Sequence, residues 1–154
     1  MEKKPDVGIV PQSPELIFGA HTPEEIGKML IIEKIADNNL IKNIKPSLER
    51  FSVEWDSISN KLFGNLSLSD SRIVLLVLIS HCNYNVIIFD EPMFSLGSKL
   101  RNIMIECLAE ILQNKYLILI THNCDELNSL CDKTVKINNK TLSETDKRID
   151  EIIS

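Results

Sequence analysis

Two short apolar runs constrain this chain most. Val86–Phe89 (VIIF) and Leu117–Thr121 (LILIT) lack polar alternation, and a helical pattern around Lys99–Asn114 separates them. A strand with one wet face alternates apolar and polar side chains, whereas strands read as continuous apolar runs when a parallel sheet is covered on both faces. The expected class is therefore α/β. Ligands bind such sheets beyond the carboxyl ends of the strands. Asp90 and Glu91 follow the first run, His122 follows the second, and Gln12 follows a third, Val7–Val10.

Around these strands the pattern is helical. Thr22 as N-cap, Pro23 at the first position and Glu24 and Glu25 in the first turn predict a helix from His21 to about Ile44. Pro46 and Gly64 read as breakers in a mixed stretch with one more short helix. Ser67 to Cys82 reads as a capped, buried helix. Beyond LILIT we expect a short helix around Asp125–Cys131, a strand at Val135–Ile137, and a final helix in which Ser143 and Asp146 form the N-cap pair. The boundaries run from about 1–20 (strand and loop), through 21–82 (helical) and 83–140 (α/β core), to 141–154 (C-terminal helix), in a single partial domain.

Composition narrows the function. The 154 residues are 44% hydrophobic and 25% charged, with a formal net charge of −5. No basic block faces a phosphate backbone, so nucleic acid is not an expected partner. The start, MEKKPDV, lacks the apolar region of a secretory signal, and IVLLVLI (Ile73–Ile79) is far short of a bilayer span. Cys82, Cys107, Cys124 and Cys131 have no disulfide-scaffold spacing and read as reduced cytoplasmic thiols. His122 with Cys124 and Cys131 fits a loop running into a helix better than a metal site.

The strand-end residues have a common chemistry. A carboxylate ending a buried strand can hold Mg²⁺, which takes hard oxygen ligands and keeps several waters. A second carboxylate can orient or deprotonate a water, a histidine can contact a terminal phosphate, and a glutamine can complete the metal shell. Each has a plainer reading as an ordinary loop residue. Their joint placement at three strand ends favours function.

Together these segments resemble ATP-binding cassette (ABC) ATPases. VIIFDEP resembles the Walker B strand, which implies Asp90 as the Mg²⁺ residue and Glu91 as the catalytic carboxylate. LILITHNCDEL resembles the switch segment, with His122 as the switch histidine. VGIVPQSPELIFGAHTPEEI is similar to the Q-loop region, with Gln12 as a metal-shell residue, and FGAHTPEEI has the flavour of energy-coupling-factor importers. NLSLSDSRIVLLVLI lies where the signature opens a helix, which implies Ser67 and Ser69 as nucleotide-binding residues. The resemblance implies ATP and Mg²⁺ as cofactors, a second ABC ATPase subunit and transmembrane transporter subunits as partners, and a peripheral place at the cytoplasmic membrane face.

One part of that pattern is missing. Among Gly8, Gly19, Gly27, Gly64 and Gly97, only Gly27 precedes a lysine, and Met29 follows where Ser or Thr is required; Thr22 occupies the first glycine position. The chain has no G-x-x-x-x-G-K-[ST], whose backbone N–H groups and lysine supply most of the grip on a triphosphate. The fold expected from the resemblance is thus a partial P-loop-NTPase-like parallel sheet with a helical insertion and no P-loop strand. An apolar edge would be left beside LILIT.

The isolated chain is expected to bind ATP weakly and to lack activity until a missing segment or a partner supplies the loop. Leu68 and Ser69 in place of the signature's glycine pair, Asp70 near its glutamine, and Gly97 in place of the D-loop aspartate favour an alternative, a non-catalytic regulatory or dimerisation subunit. A gene remnant and a chromosome-maintenance or repair ATPase are further alternatives.

Overall fold

Three parallel strands, β1 (Val7–Val10), β2 (Val86–Asp90) and β3 (Tyr116–Ile120), lie in the order β1-β2-β3. The computed structural model describes residues 6–136 and the backbone of 137–138 and 141–146. Val7 is in register with Val86, which pairs with Tyr116, and Asp90 sits opposite Ile120. Gly8, Val10, Ile87 and Phe89 point into the core. The opposite face departs from the expectation of two covered faces, because Val7, Ile9, Tyr116, Ile118 and Ile120 are exposed there, Tyr116 at 77%. Strand composition reports what a sheet face suits, and here the cover for that face is not among the described residues.

The core sits under the inner face. Helix α5 (Leu68–Ser80) is buried at every position from Ser71 to Ile79 and packs against β1, α1 (Pro14–Phe18), α2 (Pro23–Ile32) and α3 (Leu40–Arg50). A helix apolar all round has no solvent face to keep. Ser67 caps it by accepting from Asp70 N–H at 3.0 Å, as its sequence predicted. Gly8 allows the strand to approach the end of this helix: a Cβ there would lie 2.6 Å from the Tyr84 ring and 2.8 Å from Ile79 Cγ2. Helix α6 (Ser98–Leu112) lies against β3. Arg50 of α3 reaches it through Glu106 at 3.2 Å and Glu110 at 2.8 Å.

The helix expected from His21 is α2, which starts as expected and ends early, while the short α1 before it was not expected. Thr22 and Glu25 form a reciprocal capping box, with bonds of 3.2 and 2.9 Å. The chain then leaves α2 after Ile32 rather than continuing to Ile44. Ile35 N–H reaches Leu30 C=O and Lys34 N–H reaches Ile31 C=O, both at 2.9 Å, with Lys34 left-handed at φ 57°. That is a Schellman stop built without its usual glycine. A second closes α3, where Val53 N–H bonds Leu48 C=O, Ser52 N–H bonds Glu49 C=O, and Ser52 has φ 60°.

Pro46 does not break the chain, because it lies inside α3. It forfeits one backbone bond there, while Leu40, Ile44 and Leu48 are buried on one face and hold the helix. The expected short helix is α4 (Trp55–Ile58).

From His122 onward, the described residues belong to a separate compact unit. In place of a helix over Asp125–Cys131 there is one 3₁₀ turn, Asn128–Leu130; so short a polar segment does not sustain an α-helix. Strand β4 (Lys133–Asn138) pairs antiparallel with β5 (Thr141–Asp146), in a sheet distinct from β1–β3. The C-terminal helix predicted from Ser143 and Asp146 is therefore a strand as far as residue 146. Thr141, Ser143 and Thr145 favour a ladder over a helix once β4 offers one. The remainder of that predicted helix, 147–154, lies outside the described residues. No helix among the described residues is long and apolar enough to cross a membrane.

Candidate functional site

The chain turns sharply where β2 ends. Glu91 adopts φ 52°, an unusual conformation for a residue with a side chain. Its N–H donates to Ile120 C=O at 2.8 Å, adding a last rung beside β3. Its side chain folds inward, leaving the residue 8% exposed, and Oε2 accepts from the Thr121 hydroxyl at 3.2 Å. Left-handed geometry outside glycine persists only where neighbours over-determine it. Here the neighbouring strand fixes the peptide and Thr121 fixes the carboxyl. Asp90, one residue earlier, is half-buried at the strand's end.

Arg72 organises the backbone around this turn, and sequence reasoning missed it. It is 5% exposed, on the first turns of α5. Its Nη1 donates to Phe94 C=O at 2.6 Å and to Glu91 C=O at 3.3 Å, and its Nη2 donates to Gln12 C=O. The guanidinium lies over the Phe94 ring, 4.7 Å from its centroid. Burial pulls its pKa below the usual arginine value, while Glu15, Glu91 and Asp90 push it back up. A signal for it was present: one cation set directly before the apolar run IVLLVLI.

The predicted residues fall into three groups. Asp90 and Glu91 wall a small cavity of about 10 Å³ with Val10, Pro11, Arg72 and Pro92, and Gln12 is linked to them through Arg72, which holds the main-chain carbonyls of Gln12 and Glu91. Ser67 and Ser69 form their own pair at the start of α5, with hydroxyls 3.1 Å apart. His122 directly follows Thr121 and opens the second unit. Among the described residues, no three His, Cys, Asp or Glu side chains gather as a metal cage.

No protein-family model matches the chain. Solved structures do. An ATP-binding subunit of an ABC transporter superposes with TM-score 0.79 at 16% identity, over 96% of this chain and 62% of that one. The chain has the ABC ATP-binding subunit fold.

A dimeric ATP-binding cassette in a post-hydrolysis state, bound to ADP and Pi, matches this ABC fold with TM-score 0.74 at 18% identity, over 92% of this chain and 63% of that one. CbiO1 from Clostridium perfringens, part of the ABC transporter complex CbiONQ, gives 0.66 at 20%, over 95% and 59%. The chain spans about three fifths of the length of these structures. Its mixed α/β architecture, with a small parallel sheet and a helical insertion, is that of a partial ABC ATPase domain.

Proposed function

We propose that this chain is the carboxyl-terminal part of an ATP-binding and ATP-hydrolysing subunit of an ABC transporter, and that its phosphate loop comes from another segment or another chain. The observation that carries this reading is the Asp90-Glu91 pair at the carboxyl end of β2, with Glu91 buried and tethered, inside an ABC ATPase fold.

The donor set suits Mg²⁺ in part. Asp90 offers a hard carboxylate oxygen and Gln12 an amide oxygen, and Mg²⁺ takes one or two such protein ligands beside phosphate oxygens and waters. When bound, Mg²⁺ neutralises charge developing on the phosphates. Glu91 would then orient or deprotonate the attacking water, and His122 would contact the terminal phosphate. Ser67 already accepts from Asp70 N–H; of the two hydroxyl protons of Ser67 and Ser69, one bridges the pair and the other would donate to a nucleotide held by a partner subunit.

The chain's own residues do not suit the rest of the triphosphate. No glycine-rich run of N–H groups and no P-loop lysine is present in the sequence. Under this reading the exposed sheet face and the free edge of β3 receive the strand and helix that carry the loop. A second ABC ATPase subunit and transmembrane subunits complete the assembly, at the cytoplasmic face of the membrane.

The test is reconstitution. The chain alone should show dissociation constants for ATP of about a millimolar or weaker. Adding a P-loop-bearing fragment of an ABC ATPase should restore turnover that Glu91→Gln abolishes. A second reading, a regulatory subunit without hydrolysis, draws on Leu68, exposed at 49% on the first turn of α5 beside Asp70. A bulky side chain and a negative charge oppose close approach of phosphate there. Nucleotide binding without turnover, indifferent to Glu91→Gln, would select it.

A further inference from the structure

We infer that Arg72 is a positioning residue that couples the segment following β1 to the segment following β2, so that the peptides of Gln12 and Glu91 shift together. Burying a guanidinium is expensive and is normally offset by a carboxylate partner. Arg72 bonds instead to three main-chain carbonyls, and its Nε has no acceptor among the described residues. The acceptors lie 60, 19 and 22 positions away in the chain, on two separate segments. This cation is used for its shape.

The planar fork decides what the contact does. Nη1 spans Glu91 and Phe94 while Nη2 holds Gln12, and the Phe94 ring limits rotation of the plane. The two ends of a guanidinium cannot move independently, whereas a lysine ammonium is a point donor on a flexible stem. Pulling the Gln12 carbonyl outward therefore tilts the fork and loosens the bond at Glu91, where the backbone is already left-handed. Conversely, anything that orders Gln12 sharpens the placement of Glu91. For the reaction proposed above, this would make readiness of the water-orienting carboxylate depend on the loop after β1. The coupling belongs to the apo chain and is measurable without turnover.

Hydrogen–deuterium exchange on the intact chain tests it. Pro11→Gly frees the backbone next to Gln12 and leaves the side chains of Arg72 and Glu91 in place. Because Pro11 shares a small cavity with both, Pro11→Ala, which removes the ring but frees the backbone less, is the control and should quicken exchange less. With Arg72 present, exchange across 91–96 should quicken roughly threefold or more while β3 keeps its protection. In an Arg72→Lys background, 91–96 should already exchange fast and Pro11→Gly should add nothing. Unchanged exchange at 91–96 in the Pro11→Gly chain would overturn the proposal. So would a uniform rise across α5 and all three strands in Arg72→Lys, the mark of a residue that merely stabilises. If Arg72→Lys does not fold, the Pro11→Gly comparison decides alone. Coupling found without any reconstituted turnover would sink the ATPase reading and leave this one standing.

Discussion

Thr121, one residue past β3, donates its hydroxyl to the Glu91 carboxyl at 3.2 Å, so the residue following the neighbouring strand sets the side chain that follows β2. Thr121→Val keeps the shape and deletes the donor beside a buried acceptor. It should lower unfolding stability by about 1–2 kcal/mol, while Thr121→Ser restores most of it. Urea titration of the three proteins checks this, and a valine variant as stable as the parent would refute it.

Two helix stops carry the wrong residue for their geometry. Lys34 and Ser52 are left-handed, at φ 57° and 60°, in Schellman turns. Glycine avoids the Cβ penalty there at some cost in chain entropy, so Lys34→Gly and Ser52→Gly should each stabilise by about 0.5–1 kcal/mol. The double variant should show the sum of the two, and a shortfall would mark coupling between the stops. Shifted denaturant midpoints with an unchanged slope are the expected result.

Alkali should weaken the fold before it unfolds it. Burial pushes the thiols of Cys82 and Cys107 from 9.0 up to about 11. The folded state holds these protons longer than the unfolded one, so their contribution is complete below pH 9.0 and is lost as pH rises towards about 11. Tyr84, raised by burial, acts in the same sense; Lys115, lowered by burial, opposes it. The urea midpoint should fall between about pH 8 and about pH 10.5. In Cys107→Ala it should fall less steeply, and an equal slope would assign the loss elsewhere.

Ile118 lies midway along the edge strand β3 on the bare sheet face, 50% exposed between Tyr116 and Ile120. An apolar edge strand with an apolar open face recruits other chains. Ile118→Lys should cut concentration-dependent light scattering with little change in thermal midpoint. It should also block any rescue by a P-loop-bearing fragment. Scattering that persists in the variant would place self-association on another surface.

What could be read in advance follows from the range of the forces. The strands expected at Val7–Val10, Val86–Phe89 and Leu117–Thr121 match β1–β3 to within a residue because apolar runs mark strands, although the same runs overstated the cover of the outer face. Helix α5 was legible because Ser67 lies only a few residues before the apolar run. Asp90 and Glu91 followed from strand ends. The stops at Lys34 and Ser52 were hidden because neither residue is glycine, and Pro46 looked like an end because tertiary packing outweighed propensity. Arg72 eluded the reading for a different reason: its partners are carbonyls, which every residue has. The pairing of β4 with β5 was missed because Ser143 and Asp146 match a helix cap as well as a strand that already has a neighbour.

The first strand is made early and used late. Val7 pairs with Val86, so at translation rates of about 5–20 residues per second β1 waits roughly 4–16 s for its partner to be synthesised. The helices between them can condense meanwhile through contacts nearer in sequence. The waiting strand is short, carries Gly8 at its second position and runs directly into Pro11, features that make it a poor template for any other strand. The proline that ends β1 in the finished sheet also guards it on the ribosome.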